Sequence, residues 1–395
     1  MERFDAVVIG GGPCGATAAD DLAMAGRKVL LLDRAGRIKP CGGAVPPRLL
    51  EDFAIPLSLL VARATEARMI APSNKAVRMP VGDGFVGMVD RDQFDEWLRD
   101  RAMGHGAHRR TGTFERIERS AEGMAIVCFR ESRGGELQRI ETRSVIGADG
   151  ARSGVAREEL PGAERVPCVF AYHEVIRAPR HDSDVYQKQR CDVFYQGDLS
   201  PDFYGWIFPH GDTASIGVGS ANKGFALRDA VKVMRDRNGL EGCETIRCEG
   251  APIPLKPLAR WDNGRDVVVA GDAAGVVAPA SGEGIYYAMT CGRMAAGAVG
   301  EFLDTGDPRR LRLARKRFMK EHGRVFWVLR MMQYFWYSSD KRRERFVTMC
   351  EDPDVQRLTW QAYMNKKLVR ADPLAHLRIF LKDTAHLLGL APVRA

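Results

Sequence analysis

The sequence has no apolar run long enough to cross a membrane. Its longest aromatic-rich stretch, VFWVLRMMQYFWY at 325–337, spans 13 residues and contains an arginine, whereas a membrane-spanning helix needs about 20 residues. A secretory leader is also missing, because residues 1–5 form no basic n-region and the apolar run at 6–9 is too short. We therefore expect a protein that is made and kept in the cytoplasm.

Paired cysteines are missing as well. The nine cysteines are scattered along the chain, are odd in number and form no CxxC pair. Disulfide scaffolds and zinc sites depend on such pairs or on regular spacings. The pattern therefore predicts reduced thiols, no disulfide framework and no metal site.

A hydrophobic content of 45% indicates a globular protein rather than a disordered one. The length of 395 residues is enough for about two or three domains. The net charge of +8 is concentrated at one end, where residues 309–395 contain 20 Lys and Arg against 8 Asp and Glu. Such a basic surface suits an anionic membrane, an acidic substrate or a nucleic acid. A solvated helical face explains the same charge, and both interpretations remain open.

The first 34 residues contain a strand, a glycine-rich turn, a helix and a second strand in that order. Apolar residues predict a buried parallel strand at 6–9 and a second strand at 28–33, and an alanine-rich segment predicts a helix at 16–25. GxGxxG spacing lets the backbone approach a pyrophosphate at the helix N-terminus, and the acid after the second strand hydrogen-bonds to a ribose. The pattern predicts a dinucleotide site made by Gly10, Gly12, Pro13, Gly15, Asp33 and, unless it is simply solvated, Arg34.

Two later segments repeat the arrangement of strand, acid and glycine turn. They are SVIGADGARSGV at 144–155 and DVVVAGDAAGVVAPASGEGIYYAM at 266–289. The acid of the second segment is placed to bond ribityl hydroxyls or to cap a helix. The glycine backbone after it can hold the negative charge of a reduced flavin at a helix start. The candidate flavin-binding residues here are Asp149, Asp272, Gly282 and Gly284.

GxGxxG, GADG and GD…GEG, in this order and at these separations, resemble the FAD enzymes built like p-hydroxybenzoate hydroxylase. The resemblance implies FAD as the cofactor. VDRDQFDEWL at 89–98 fits the same group, whose members often carry an arginine near the FAD at the start of a helix. That position here is Arg91, for which the alternative is an ordinary arginine in a first helical turn.

Two further stretches and the tail narrow the resemblance. KPCGGAV at 39–45 and the YxWxFP arrangement at 204–219 look like geranylgeranyl reductases, the flavoenzymes that saturate isoprenoid double bonds. RFVTMCEDPDVQRLTWQAYMNKK at 345–367 looks like the branch that makes the phytyl chain of chlorophyll or bacteriochlorophyll, in a bacterial rather than a plastid form. The resemblance implies a C20 isoprenoid substrate, linked to a pigment or to a diphosphate. It also implies NADPH as a transient electron donor, with reduced ferredoxin as the alternative.

Saturation of an isolated alkene requires a proton and a hydride, the latter from reduced flavin. The site therefore needs a proton donor within about 3 Å of the alkene carbon and a slot without water. Candidate donors are Cys41, Tyr204 and an ordered water held by either of them. The resemblance places the cysteine near the flavin, where it is either a reagent or a filler. It also lays three neighbouring residues against the cofactor: Gly42, Gly43 and Ala44.

The aromatic residues of the YxWxFP stretch alternate along one predicted strand. Tyr204, Trp206 and Phe208 therefore share a face. That face either lines an isoprenoid tunnel, with Trp206 and Phe208 binding the substrate, or packs in an ordinary core.

The predicted fold is α/β with an α+β insert. A Rossmann-type FAD-binding domain is expected at 1–165 and 262–308, an antiparallel-sheet substrate domain at 166–261 and a basic helical region at 309–395. The helical region includes an apolar stripe within 373–390. It suits either peripheral attachment to an inner or photosynthetic membrane or packing of its helices on the FAD-binding domain.

Four other functions are weighed against the reductase. A flavin hydroxylase shares the fold. A halogenase is disfavoured, because 42–47 contain no lysine where that family has its catalytic one. A flavin-containing scaffold of a pigment-synthesis complex would use the basic tail for docking. Nucleic-acid binding lacks a recognised module. The head group of the substrate, the number of double bonds reduced and the oligomeric state remain open.

Overall fold

A computed structural model describes residues 1–34 and 38–366. The chain divides into two compact units, each assembled from three segments. Unit 1 consists of Met1–Lys39, Arg91–Cys168 and Pro252–Phe326, and unit 2 consists of Pro40–Asp90, Val169–Ala251 and the chain from Trp327 onward.

The described residues form strands and helices throughout. The strands are β1 (Glu2–Ile9), β2 (Val29–Asp33), β3 (Ala44–Val45), β4 (Leu60–Ala64), β5 (Glu66–Ile70), β6 (Ala76–Pro80), β7 (Val86–Val89), β8 (His108–Thr111), β9 (Thr113–Arg119), β10 (Ala125–Arg130), β11 (Leu137–Gly147), β12 (Cys168–Arg177), β13 (Arg190–Phe194), β14 (Gly205–His210), β15 (Thr213–Ser220), β16 (Thr245–Pro254) and β17 (Val267–Val269). The α-helices are α1 (Pro13–Met24), α2 (Pro47–Asp52), α3 (Arg91–Gly104), α4 (Gly154–Glu159), α5 (Leu227–Arg237), α6 (Ile285–Thr305), α7 (Leu313–Trp336), α8 (Asp340–Met349) and α9 (Pro353–Asn365).

Unit 1 contains a sheet of order β8-β2-β1-β11-β10-β9, with β17 paired to β11. β1 is parallel to both β2 and β11, and the apolar residues at the carboxyl end of β1 are buried. Strands that are apolar on both faces belong to a parallel sheet covered by helices on both sides. Helix α1 packs on α3 and α6. The predicted Rossmann-type arrangement is confirmed.

A glycine lets α1 and α6 approach closely. A Cβ added to Gly292 would lie 2.2 Å from the backbone oxygen of Cys14, a separation that no side chain tolerates. The first turn of α1 is thereby held against α6.

Unit 2 contains a sheet of order β16-β12-β15-β14-β13-β5-β6 and a three-stranded sheet of order β3-β7-β4. The predicted sheet segments at 169–176 and 191–196 correspond to β12 and β13. Neighbours β12 to β15, β14 to β15 and β13 to β14 are antiparallel, as the antiparallel prediction requires.

Residues 40–90 fall in unit 2, whereas the sequence assigned them to the FAD-binding domain. The physical reason is a parallel pairing of β5 with β13, in register from Glu66 opposite Arg190 to Ile70 opposite Phe194. Strand β6 follows on the outer edge. Parallel pairing between distant segments leaves no local sequence signal, because each strand reads the same with any partner.

The tail is helical where it is described, in α7, α8 and α9. The apolar stripe within 373–390, formed by Leu374, Leu377, Phe380 and Leu381, lies outside the described residues. Among residues 1–34 and 38–366, no helix is long and apolar enough to cross a membrane. All nine cysteines are free thiols.

Candidate active site

The glycine-rich turn after β1 is built by backbone-to-backbone approach. Gly10 has a φ of +105°, and a Cβ there would lie 2.3 Å from the backbone oxygen of Ala148. A Cβ on Gly15 would lie 1.8 Å from the backbone oxygen of Gly10. By contrast, no described atom lies within 4 Å of a Cβ built on Gly12. The first and third glycines are therefore required by packing, and the second borders open space.

The N-terminus of α1 opens onto this turn. Pro13 occupies its first position, no side chain of the described residues caps it, and its first turn contains no acidic residue. Proline is preorganised for that position, and the uncapped N–H groups with the positive end of the helix dipole bind an anion. The open space beside Gly12 and this helix start together fit the pyrophosphate of a dinucleotide.

Asp33 ends β2 next to the turn, and an arginine holds it there. Nη1 of Arg99 lies 3.1 Å from the backbone oxygen of Gly11 and 3.3 Å from Oδ2 of Asp33. Arg99 was not predicted, because nothing in its surroundings on α3 distinguishes it from the other arginines of that helix. Arg34, by contrast, is exposed.

Glu96 fixes Arg99 from the other side. Hydrogen bonds from Arg109 and Arg99 lower the pKa of Glu96 to about 2. The carboxylate therefore stays ionised at neutral pH and keeps the Arg99 guanidinium oriented toward Asp33.

Arg91 is the first residue of α3, as predicted, and is only 5% exposed. Its Nε and Nη2 donate to the two carboxylate oxygens of Asp95 at 2.8 and 2.7 Å. This bidentate pair one helical turn apart fixes the guanidinium. A contact of Arg91 with FAD stays a prediction.

Asp149 lies between β11 and α4, four residues before Ser153, the N-cap of α4. Its carboxylate accepts hydrogen bonds from the Ser153 hydroxyl and from the backbone N–H groups of Gly154 and Val155. Burial raises the pKa of Asp149 despite these bonds. The side chain therefore shapes the turn, and its contribution to cofactor binding stays a prediction.

Asp272 is buried in the turn after β17 and is paired with a lysine. Nζ of Lys39 lies 2.6 Å from Oδ2 of Asp272. The sequence offered no sign of this pair, since the two residues are 233 positions apart. The lysine places a positive charge beside the carboxylate that was predicted to bond the ribityl chain.

The glycines before α6 form its entry. Gly282 has a φ of +65° and donates its N–H to the backbone oxygen of Ala278 at 3.0 Å. Gly284 is the N-cap of α6, so the N–H groups of the first helical turn follow it without intrahelical partners. The N–H of Gly282 is thus already used within the turn, and the anion-holding role predicted for this segment stays a prediction.

In unit 2, the Cys41 loop lies on the aromatic strand β14. A Cβ on Gly42 would lie 3.1 Å from the Phe208 ring and 3.8 Å from Nε1 of Trp206. Cys41 is half-buried, and its sulfur accepts a hydrogen bond from the Gly43 N–H at 3.4 Å. The two specific motifs of the sequence are thus in contact with one another.

A histidine that was not predicted anchors the same loop. Nε2 of His210 lies 3.0 Å from the backbone oxygen of Gly42, and Nδ1 lies 3.1 Å from Oδ1 of Asp90. Ala44 then begins β3, opposite Met88 of β7. His210 directly follows the YxWxFP stretch, which was the only available signal.

The aromatic side chains share one face, as predicted. The ring centroids of Tyr204 and Trp206 are 6.1 Å apart, and those of Trp206 and Phe208 are 6.3 Å apart. Tyr204 precedes the first residue of β14 and stacks on Phe203 at 4.2 Å. The opposite face of the sheet carries the apolar core that includes Ile207 and α5.

A buried polar chain fixes the indole of Trp206. Its Nε1 donates to Oγ of Ser215 at 3.1 Å, and that hydroxyl lies 3.0 Å from Nδ1 of His173. Nε2 of His173 lies 3.0 Å from a carboxylate oxygen of Glu249. The ring itself lies over Gly217, where a Cβ would come within 2.2 Å of it. The aromatic face is therefore rigid as well as apolar.

Known proteins of similar sequence identify the family. The chain is 60% identical to the geranylgeranyl diphosphate reductase of Rhodobacter capsulatus over 390 residues, which cover 99% of each chain. It is 35% identical to the chloroplastic geranylgeranyl diphosphate reductase of Oryza sativa subsp. japonica over 410 residues, which cover 99% of this chain and 88% of the rice protein. The chain belongs to the geranylgeranyl diphosphate reductase family. This membership confirms the predicted class, an FAD-dependent oxidoreductase acting on carbon–carbon double bonds.

Two further comparisons agree with the geranylgeranyl diphosphate reductase family. The family model described as pyridine nucleotide-disulphide oxidoreductase matches residues 4–188. The solved structure of a geranylgeranyl bacteriochlorophyll reductase-like protein from Thermoplasma acidophilum gives a TM-score of 0.81 at 22% identity. The match covers 97% of this chain and 100% of that chain, and it confirms the fold.

Proposed function

We propose that this protein saturates the isolated double bonds of a geranylgeranyl group, converting it toward a phytyl group. The substrate is geranylgeranyl-(bacterio)chlorophyll, geranylgeranyl diphosphate or both. The observation that carries the proposal is the contact between the Cys41 loop and the aromatic face of β14, in a chain of this family.

Bound FAD, once reduced, supplies the hydride for this reaction. The residues that would hold it are those of the turn at Gly12, together with Asp33 and Arg99. Asp272, with Lys39 beside it, would bond the ribityl chain, and the start of α6 would hold the negative charge of the reduced flavin. A Cys41 loop lying against the ring follows from the resemblance.

The proton is supplied on the protein side by Cys41. A thiol is both a weak donor and a weak acceptor. Because the Gly43 N–H already donates to the sulfur, the S–H hydrogen is available to a partner outside the loop. Tyr204, or a water held by either residue, is the alternative donor. Its phenol belongs to the same aromatic face.

The aromatic face supplies the slot that the substrate requires. Trp206 and Phe208 present apolar rings next to Gly42, and the indole N–H is satisfied internally by Ser215. A face with no unmet polar group binds an isoprenoid chain and excludes water, which would capture a cationic carbon. A hydroxylase would need oxygen to reach the same slot, and substrate-dependent oxygen uptake tests that alternative.

NADPH is the proposed electron donor, as the family resemblance implies. Because the sequence contains a single GxGxxG turn, NADPH would visit the flavin transiently rather than occupy a second dinucleotide fold. The measurement is the bleaching of the oxidised flavin band on anaerobic mixing with NADPH. Bleaching by reduced ferredoxin but not by NADPH would replace this donor with the alternative.

A face of α7 is proposed to hold the protein at an anionic membrane surface, on the cytoplasmic side of the inner or photosynthetic membrane. Trp327 and Tyr334, two helical turns apart, are 66% and 71% exposed, and Arg330 between them is exposed too. Indole and phenol rings favour the headgroup region, and arginine favours anionic lipid.

Co-sedimentation with vesicles tests this attachment. The double change Trp327→Ser and Tyr334→Ser should reduce binding to phosphatidylglycerol-containing vesicles, with turnover of a detergent-solubilised substrate unchanged. Met24→Ser, at a residue of α1 that is 58% exposed, is the matched control and should bind as the wild type does. Equal binding by all three proteins would refute the attachment.

The catalytic proposal is tested with purified holoprotein, an anaerobic reductant and a geranylgeranyl substrate. Products heavier by two hydrogens per step are expected. Absence of saturated product from both substrates, while the flavin is reduced, would refute it. A protein that binds pigment enzymes but never turns over would instead be the scaffold.

A further inference from the structure

His210 bonds the backbone of the Cys41 loop. Its side chain is 7% exposed, and Nε2 lies 3.0 Å from the backbone oxygen of Gly42. A carbonyl oxygen only accepts, so Nε2 is the donor in this bond. Asp90 holds the other side of the ring, with Oδ1 at 3.1 Å from Nδ1. The ring is thus fixed between a carboxylate and the loop.

The loop is shaped to receive this ring. Gly43 has a φ of +70°, and a Cβ there would lie 2.4 Å from Cε1 of His210 and 2.5 Å from the backbone oxygen of Val89. Only glycine combines this left-handed conformation with space for the imidazole. The second glycine of the motif is therefore explained by the histidine rather than by the cysteine.

One peptide plane connects His210 to the thiol. The backbone oxygen of Gly42 and the N–H of Gly43 belong to the same planar peptide group. The oxygen is held by His210, and the N–H donates to the sulfur of Cys41 at 3.4 Å. Rotation of this plane would break both bonds together, so fixing one end fixes the other.

We infer that His210 is a positioning residue, which orients the Cys41 thiol through the Gly42–Gly43 peptide. The inference rests on the proposed function in one respect, that Cys41 acts in turnover. It gives the Asp90–His210 pair a task that is separate from binding FAD and from lining the slot.

Two amide variants of His210 test whether the hydrogen bond to Gly42, rather than any polar side chain at this position, orients the thiol. In His210→Gln the amide nitrogen occupies the place of Nε2 and can still donate to Gly42. In His210→Asn the shorter side chain places its nitrogen near Nδ1 and cannot reach. We expect kcat of the Gln variant to stay within about threefold of wild type and that of the Asn variant to fall by about tenfold or more, the loss of one oriented hydrogen bond. KM should change by less than about threefold in both variants, since the aromatic face is intact.

A second readout does not depend on turnover. The rate of iodoacetamide alkylation of Cys41 is measured by peptide mass, with the exposed Cys248 as the internal reference. Loss of the Gly43 N–H bond removes a group that stabilises the thiolate, so alkylation of Cys41 relative to Cys248 should fall in the Asn variant and not in the Gln variant. His181→Asn, at an exposed position, is the control and should leave both readouts at wild-type values.

Equal kcat and equal alkylation in the Gln and Asn variants would overturn the inference. If the wild type yields no saturated product, the proposed function fails, and the alkylation comparison still decides whether His210 orients the thiol. A similar melting temperature for the two amide variants ensures that the comparison is made between folded proteins.

Discussion

The candidate sites of the two units are shaped by different parts of the chain, by backbone in unit 1 and by side chains in unit 2. In unit 1 the turn after β1 is shaped by backbone against backbone, as at Gly10 and Gly15. In unit 2 the Cys41 loop is shaped by side chains of β14, namely Trp206, Phe208 and His210. The difference teaches that a turn shaped by backbone against backbone needs only glycines at set positions, as in many dinucleotide folds. A loop shaped by side chains depends on the particular residues of the strand beside it.

The largest expected effect concerns the backbone-built turn. Gly15→Ala should yield a protein that unfolds at lower temperature and binds no FAD, because its Cβ would lie 1.8 Å from the oxygen of Gly10. Gly12→Ala should leave the melting temperature of the apoprotein unchanged and still weaken FAD binding by about 100-fold, because its Cβ meets no described protein atom within 4 Å and would enter the space proposed for the pyrophosphate. Calorimetry and flavin titration measure both. Equal destabilisation of the two apoproteins would contradict the distinction.

The next effect concerns the side-chain-built loop. Cys41→Ala should retain FAD and lower the rate of alkene reduction by about 100-fold or more, the usual contribution of a positioned proton donor. Cys41→Ser replaces the thiol with a hydroxyl of similar size and should recover part of the rate. Single-turnover oxidation of the reduced enzyme by substrate is the measurement. Normal turnover by the Ala variant would show that the two glycines were the essential part of the motif.

A smaller effect is expected at Arg99, a side chain that supports the backbone-built turn of unit 1. Arg99→Met removes the side chain that joins Gly11 to Asp33 and should weaken FAD binding by about tenfold. Arg116→Met, at an exposed arginine of β9, is the matched control with no expected change. If the two variants bind FAD equally well, Arg99 has no part in the dinucleotide site.

The smallest effect concerns the charge that supports Arg99. The pKa of Glu96 is lowered to about 2 in the folded protein, against about 4.3 in an unfolded chain. A lowered folded-state pKa stabilises the protein above the unfolded pKa, and this stabilisation is lost as pH falls toward the folded one. The urea midpoint of Glu96→Gln should therefore be lower than that of wild type at pH 7, and the difference should be smaller at pH 3.5. An unchanged difference between the two pH values would contradict the shift.

The sequence predicted the parts of the site that neighbouring residues make. Gly10, Gly12, Asp33 and the start of α6 follow from local patterns of strand, turn and helix. Pairs distant in the chain could not be predicted, such as Lys39 with Asp272 at 233 positions and His210 with Gly42 at 168. Such pairs depend on which strands become neighbours, and a single sequence does not encode that in any local spacing.

The boundaries of the two units had the same limitation. Residues 40–90 follow the first Rossmann segment directly, so contiguity favoured placing them in the FAD-binding domain. Their strands β5 and β6 instead complete the sheet of unit 2. The aromatic alternation of β14 was predicted correctly, because strand geometry alone puts every second residue on one face.

The central claim is that this protein reduces the geranylgeranyl group itself. Its most direct test is mass spectrometry of products from parallel anaerobic reactions of the holoprotein with geranylgeranyl-bacteriochlorophyll and with geranylgeranyl diphosphate. The account predicts products that gain two hydrogens per step from at least one substrate, with the rate lowered in Cys41→Ala. Recovery of both substrates unchanged, beside a fully reduced flavin, would contradict it.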